Sequence, residues 1–238
     1  MDEFVDVPCK IDFKAFVVEK GRVLSQLVQN KVDEIWDREF QIRQGKLTNG
    51  YIYGVVSVSE NEILIEKVEY KIVLAQIRDP SLASAIDFHF LSTSGMTLSD
   101  GKVLLGQRSA YVSTYANAYE MVPSGTIDSQ EGLVVDLRDQ LFKELEEEAG
   151  ITRGFIQQTE GWTMVYDVTT KTYEVIARII VEPYFSSNPL QKTEGEYRSL
   201  MWLGKEEFEN HLIQHSTHYV PLTKYLFTKW DRFMQAAK

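Results

Sequence analysis

The chain has 238 residues, enough for one large domain or two small ones, and with 44% hydrophobic and 12% aromatic residues it can build a sizeable core. A formal net charge of −10 argues against nucleic acid as a partner, because polyanions are held by clustered Lys and Arg; a small phosphate ester handled through a metal ion stays compatible. The single cysteine, Cys9, rules out an internal disulfide and suits a reducing compartment.

Taken in chain order, the N-terminus Met1-Asp2-Glu3-Phe4-Val5-Asp6 has neither a basic n-region nor an apolar h-region. No segment approaches the ~20 consecutive apolar residues of a membrane span, so a soluble cytoplasmic protein without a membrane partner is expected. Residues 9–19 alternate as a strand through Ile11, Phe13, Ala15 and Val17. Val23 to about Arg43 carries a helical stripe of Val28, Val32, Ile35 and Trp36. Residues 51–58 and 62–70 read as a hairpin around Ser59-Glu60-Asn61. The first 85 residues therefore form an αβ region, with Asp79-Pro80-Ser81 marking a boundary to a second region, 86–238. There, strands are expected at 88–94 and 102–107 around Ser99-Asp100-Gly101, and at 119–122 before Pro123-Ser124-Gly125. A loop and helix follow, with Asp128 and Glu131 spaced as a capping box and Gly150 ending the helix. Strands near 162–168, 172–182 and 200–203 and helices near 205–214 and 221–236 complete an α/β chain.

The end of that central helix is chemically odd. Lys143-Glu144-Leu145-Glu146-Glu147-Glu148-Ala149-Gly150-Ile151 crowds acid where the macrodipole is already negative, at a cost of roughly a few tenths of a kcal/mol per carboxylate. Glu144 and Glu148 are four apart and Glu144 and Glu147 three apart, so like charges share a face and repel. A divalent cation would turn that repulsion into ligation, and hard oxygen donors suit Mg²⁺ or Mn²⁺. The plain alternative is a solvated acidic face, the usual fate of a charge run.

The residues around the acids resemble the signature of the Nudix hydrolases. Gly125 and Glu131 match its opening, and Glu144, Leu145, Glu147, Glu148, Gly150 and Ile151 its close. Two features depart from it: eleven residues instead of seven separate Glu131 from Lys143-Glu144, and Lys143 stands where the family has Arg. Lys lacks the planar fork of Arg. Four residues are about one helical turn, so a lengthened helix would keep a similar face. The resemblance implies an α/β/α sandwich with a mixed sheet, preceded here by the N-terminal αβ layer. It also implies a metal site of Glu144, Glu147, Glu148 and the main-chain carbonyl of Ser124, braced by Gly125, Glu131, Lys143 and Gly150. The implied reaction is metal-dependent cleavage of a pyrophosphate bond in a small nucleoside diphosphate derivative, and oligomers of identical chains are common in the family. A shorter likeness, in Ile35-Trp36-Asp37-Arg38, Leu47-Thr48-Asn49-Gly50, Tyr53 and Glu69-Tyr70-Lys71, is to the subfamily that cleaves UDP-glucose and UDP-galactose. It points to a nucleotide sugar, with ADP-ribose, other nucleotides or silent nucleotide binding as alternatives.

Further candidates lie outside the signature. Glu144, Glu147 and, ahead of Trp202, Glu196 are candidates for catalytic carboxylates that activate water; Glu194-Gly195-Glu196 is otherwise a surface turn. Arg108, closing a strand, is a candidate phosphate clamp, and Tyr115 and Lys71 are further candidate substrate contacts. Tyr111, Tyr115 and Tyr119 either stack on a base or pack. His211, His215 and His218 have helical spacing for zinc, but no Cys or matching acid accompanies them.

Overall fold

Strand alternation and tight turns organise the chain. A computed structural model describes residues 3–10, 13–18, 23–112, 114–127, 132–188, 190 and 195–235. The strands are β1 (Phe4–Val7), β2 (Lys14–Val17), β3 (Tyr51–Val58), β4 (Ile63–Glu69), β5 (Phe90–Ser99), β6 (Lys102–Arg108), β7 (Tyr119–Met121), β8 (Ser124–Thr126), β9 (Val134–Asp136), β10 (Ile156–Asp167), β11 (Thr172–Val181) and β12 (Tyr197–Leu203). The helices are α1 (Gln26–Ile42), α2 (Tyr70–Arg78), α3 (Ala83–Ile86), α4 (Leu137–Ala149), α5 (Tyr184–Ser187), α6 (Lys205–Gln214), α7 (Pro221–Thr228) and α8 (Trp230–Gln235).

The strands join one mixed sheet, in the order β1-β10-β11-β5-β3-β4-β2-β9, with β6, β7, β8 and β12 branching from β5. The β5–β11 and β2–β4 pairs are parallel, and the other pairs are antiparallel. The β5–β6 turn needs positive φ at both central positions, supplied by Asp100 (49°) and Gly101 (73°). Along β11, alternate residues Val175, Ala177, Ile179 and Val181 pack with α4, while Ile176 packs with Phe208, Leu226 and Trp230 of the C-terminal helices. The sheet is thereby covered on both faces, which gives the α/β layering with a mixed sheet.

The N-terminal strands share the core. Tyr53, Val55, Ile63 and Ile65 are buried in the same cluster as Leu91 and Leu145, while α1 and α2 cover Val68 and Phe88 through Val32, Ile35 and Val73. Of the strand placed at 9–19, Lys14–Val17 is strand β2 among the described residues, and residues 11, 12 and 19 lie outside them. The segment after β4 is a helix, α2, whose start is tied down by the Asn49 side chain.

The helix bearing the acids also differs. It is not lengthened back toward Glu131: Asp136 is its N-cap, its carboxylate accepting from the Arg138 N–H at 2.9 Å, and Val134–Asp136 immediately before it pairs with β2. The four additional residues thus coincide with an edge strand instead of a helical turn. Asp128 and Glu131, named above as a capping box and a brace, lie outside the described residues. At the other end Gly150 adopts φ 67° and its N–H returns to the Glu146 carbonyl at 2.9 Å, as a left-handed C-cap requires.

Candidate active site

Helix α4 presents two adjacent stripes. Leu137, Leu141 and Leu145 are fully buried against the sheet, and beside them Gln140, Glu144 and Glu148 recur every fourth residue. This second stripe faces the turn into β8. The Glu148 carboxylate accepts the Ser124 N–H at 3.2 Å, and Gln140 Nε2 donates to Glu144 Oε1 at 2.5 Å. Glu144 lies so close over Gly125 that a Cβ there would meet its Cδ and Cγ at 2.5 and 2.8 Å. Glycine is the residue that leaves room for this carboxylate. Gly125 and Glu144, nineteen positions apart, therefore form one cradle.

Further carboxylates gather from other strands. Arg108, 8% exposed, pairs through Nη1 with Glu120 and through Nη2 with Glu196 at 2.6 Å, while its Nε donates to the Thr114 carbonyl at 3.2 Å. The Tyr197 hydroxyl donates to Glu120 at 2.7 Å, and the Ser109 N–H holds the Glu196 carbonyl at 2.6 Å. Burial, followed by the charges of Glu196, Glu144 and Glu120, pushes the Glu148 carboxyl well above the usual range. Burial likewise raises Glu120, opposed by Arg108 and the Tyr197 hydroxyl. The charges of Glu196, Glu144 and Glu120 thus all bear on Glu148, and Arg108 pairs with two of the four carboxylates.

The sequence candidates separate accordingly. Glu144, Glu148, Ser124 and Gly125 come together, and Glu196 joins them electrostatically. Glu147 points elsewhere: it is exposed, because its place on the helix is turned about 100° from Glu148. Among the described residues no three of His, Cys, Asp and Glu are gathered as a ready metal cage. A Mg²⁺ site of two carboxylates and main-chain oxygen would still be of the ordinary kind, since that ion keeps water and substrate phosphates as ligands.

Lys143 is exposed, and Asp139, one turn before it on α4, pairs with Arg153 at 3.3 Å. Arg108 does not stand out as a phosphate clamp; buried and engaged on three nitrogens, it braces Glu120 and Glu196. Lys71 is held at 2.9 Å by Asp33 and at 3.7 Å by Glu69 in the N-terminal layer. Tyr111 is 96% exposed and Tyr115 44% exposed, whereas Tyr119 packs in the core with His211 and His215. Helix α6 ends before His218, so the three histidines do not share a helix face; His211 Nδ1 is instead 2.6 Å from the Tyr219 hydroxyl.

Three contributors escape the sequence reading. Gln140 continues the 144/148 stripe by four residues, a signal that was available. Glu120 and Glu174 each interrupt an apolar strand, which marks them as unusual but does not say what they face. Glu174 keeps some accessible surface although protein surrounds it, and its carboxyl is pushed up to about 7 by burial, opposed by the Ser94 and Ser92 hydroxyls.

No family model and no curated protein matches the chain. Solved structures of Nudix proteins do. A MutT protein from Methanosarcina mazei Go1 is 20% identical over 63% of this chain and 96% of its own, with a TM-score of 0.39. The NUDIX domain of Shewanella oneidensis NrtR, complexed with ADP ribose, is 17% identical over 61% of this chain and 88% of its own, at a TM-score of 0.42. A bifunctional NMN adenylyltransferase/ADP ribose pyrophosphatase from Francisella tularensis, complexed with AMP and a Mn ion, is 12% identical over 61% of this chain and 42% of its own, at 0.44. These are likenesses of partial chains, in the family that the signature resembles.

Proposed function

We propose that this chain is a metal-dependent hydrolase of Nudix type that cleaves the pyrophosphate bond of a nucleoside diphosphate joined to a second group. The observation that carries the reading is the convergence of Glu144 and Glu148 on the Ser124-Gly125 turn, one over a glycine that alone leaves it room, the other on the turn's N–H. Such an arrangement repels itself and gains most from a divalent cation. Glu144, Glu148 and the Ser124 carbonyl would hold Mg²⁺ or Mn²⁺, with the exposed Glu147 available from the helix end. A cation held there would neutralise the diphosphate and lower the pKa of a coordinated water.

The protein's own groups supply the order. Gln140 orients Glu144 from one turn back along α4. Arg108 holds Glu196, the candidate base, between itself and the main chain at Ser109. Residues 1–85 would wall the pocket and bear on specificity. The leading substrate class is a nucleotide sugar such as UDP-glucose, giving a nucleoside monophosphate and a sugar 1-phosphate, with ADP-ribose next.

Incubation with UDP-glucose, ADP-ribose, nucleoside triphosphates and diadenosine polyphosphates, in Mg²⁺ or in EDTA, tests the reading. Metal-dependent cleavage should fall by ~10²-fold or more in Glu148→Gln. Tight nucleotide binding without turnover of any compound would leave a nucleotide-binding module instead.

A further inference from the structure

Strand β11 lies inside the sheet, between β10 and β5, and reads Thr-Tyr-Glu-Val-Ile-Ala-Arg-Ile-Ile-Val. It carries two charges. Arg178 is neutralised by Glu160, whereas no Lys, Arg or His pairs with Glu174 among the described residues. The Glu174 neighbours are hydroxyls. Ser94 Oγ, one strand over on β5, donates to Glu174 Oε2 at 3.0 Å and lies 3.3 Å from Ser124 Oγ in the β8 turn. Ser92 Oγ, directly across from Glu174 in the β5–β11 register, donates to the Gly125 carbonyl at 2.8 Å.

A carboxylate thus stands two hydrogen-bond lengths from the turn that the proposed cation and diphosphate occupy, a span comparable with the reach from a phosphate to the hydroxyls of the sugar it esterifies. A carboxylate offers about four acceptor sites, and the Ser94 and Ser92 hydroxyls meet at most two of them. A deeply surrounded charge without a cation is costly unless donors meet it. Vicinal sugar hydroxyls supply two donors in a row.

Resting on the hydrolase reading above, we propose that Glu174 is a specificity-determining residue that accepts hydrogen bonds from the vicinal hydroxyls of a sugar in the substrate while the pyrophosphate lies on the Ser124-Gly125 turn. The sugar is either the ribose of the nucleotide or the sugar beyond the diphosphate.

Steady-state kinetics of wild type, Glu174→Ala and Glu174→Gln in Mg²⁺ tests this with ADP-ribose, UDP-glucose, UDP-2-deoxyglucose and the 2′-deoxyuridine analogue of UDP-glucose. Glu174→Ala should raise KM by about tenfold with kcat little changed, and Glu174→Gln, which keeps the shape and one acceptor, should recover part of the loss. The penalty of Glu174→Ala should vanish on the deoxy analogue that lacks the contacted hydroxyl, which also tells ribose from the distal sugar. An equal loss on every substrate, or no loss on any, overturns the proposal. Should the wild type cleave nothing, the hydrolase reading fails by itself. The same panel is then read as ligand-induced shifts in Tm in Mg²⁺, where shifts independent of residue 174, or no shift with any compound, overturn the Glu174 assignment.

Discussion

In the N-terminal layer Glu39 is buried between Arg78, at 3.1 Å, and Arg43, at 3.9 Å, and Lys71 lies between Asp33 and Glu69; near Ser124, by contrast, Arg108 pairs with Glu120 and Glu196, and the charges of Glu120, Glu144 and Glu196 all bear on Glu148. The first region sets these charges beside opposite ones. The second leaves carboxylates facing one another, and burial together with mutual repulsion raises the proton affinity of Glu148. Repulsion concentrated at one turn of the chain serves binding better than stability.

The sharpest break in that contrast comes from Gly125→Ala. The added methyl collides with the flexible end of Glu144, which can swing aside, so Tm should change little while metal-dependent hydrolysis falls by about 10²-fold. Equal losses of Tm and activity would make the glycine merely structural. Glu39→Ala should do the opposite: it strands two arginines beside a buried hole and costs about 2 kcal/mol in urea denaturation, moderated because both arginines reach solvent, with kcat unchanged.

Glu174 has a pH signature. Its folded carboxyl titrates near 7, above the ordinary 4.5, so its favourable contribution is complete below about pH 4.5 and is lost as pH rises through 7. Glu174→Gln cannot ionise. Its Tm should match wild type near pH 4.5 and exceed it at pH 8, by about 3 kcal/mol of stability; a constant difference across that range would refute the titration. The smallest effect is expected from Lys71→Ala, under about 1 kcal/mol for a partly solvated pair and without change in KM for any substrate. A KM that rose for UDP-glucose alone would return Lys71 to the binding site and blur the two regions.

Much of the site was legible because it is local. The i, i+4 acids, the glycine that ends α4 and the glycine before the box are all read by spacing, and the order of strands and helices after residue 156 follows periodicity, although β10 begins six residues before the expected 162–168 and the helix expected at 221–236 is split into α7 and α8. The shorter likeness at Asn49, Gly50 and Glu69-Tyr70-Lys71 has a structural explanation that spacing does not reveal. Asn49 donates to Glu69 at 2.7 Å and accepts the Lys71 N–H at 2.9 Å, and the Gly50 carbonyl accepts the Tyr70 N–H at 2.8 Å, so these residues bind one another to start α2. Arg108 misleads for a similar reason: an Arg at a strand end looks solvent-facing until Glu120 and Glu196 arrive from other strands.

By itself, then, the sequence determined the α/β class, the acidic stripe of α4 and the glycines at either end of the box, because each depends on neighbours a few residues away. Only the tertiary structure decided that Glu144 rests on Gly125, that Glu147 turns outward, that the four additional residues coincide with an edge strand, and that Glu120, Glu174 and Glu196 stand near the turn. Those facts depend on strand pairings between residues tens of positions apart, which no local period encodes.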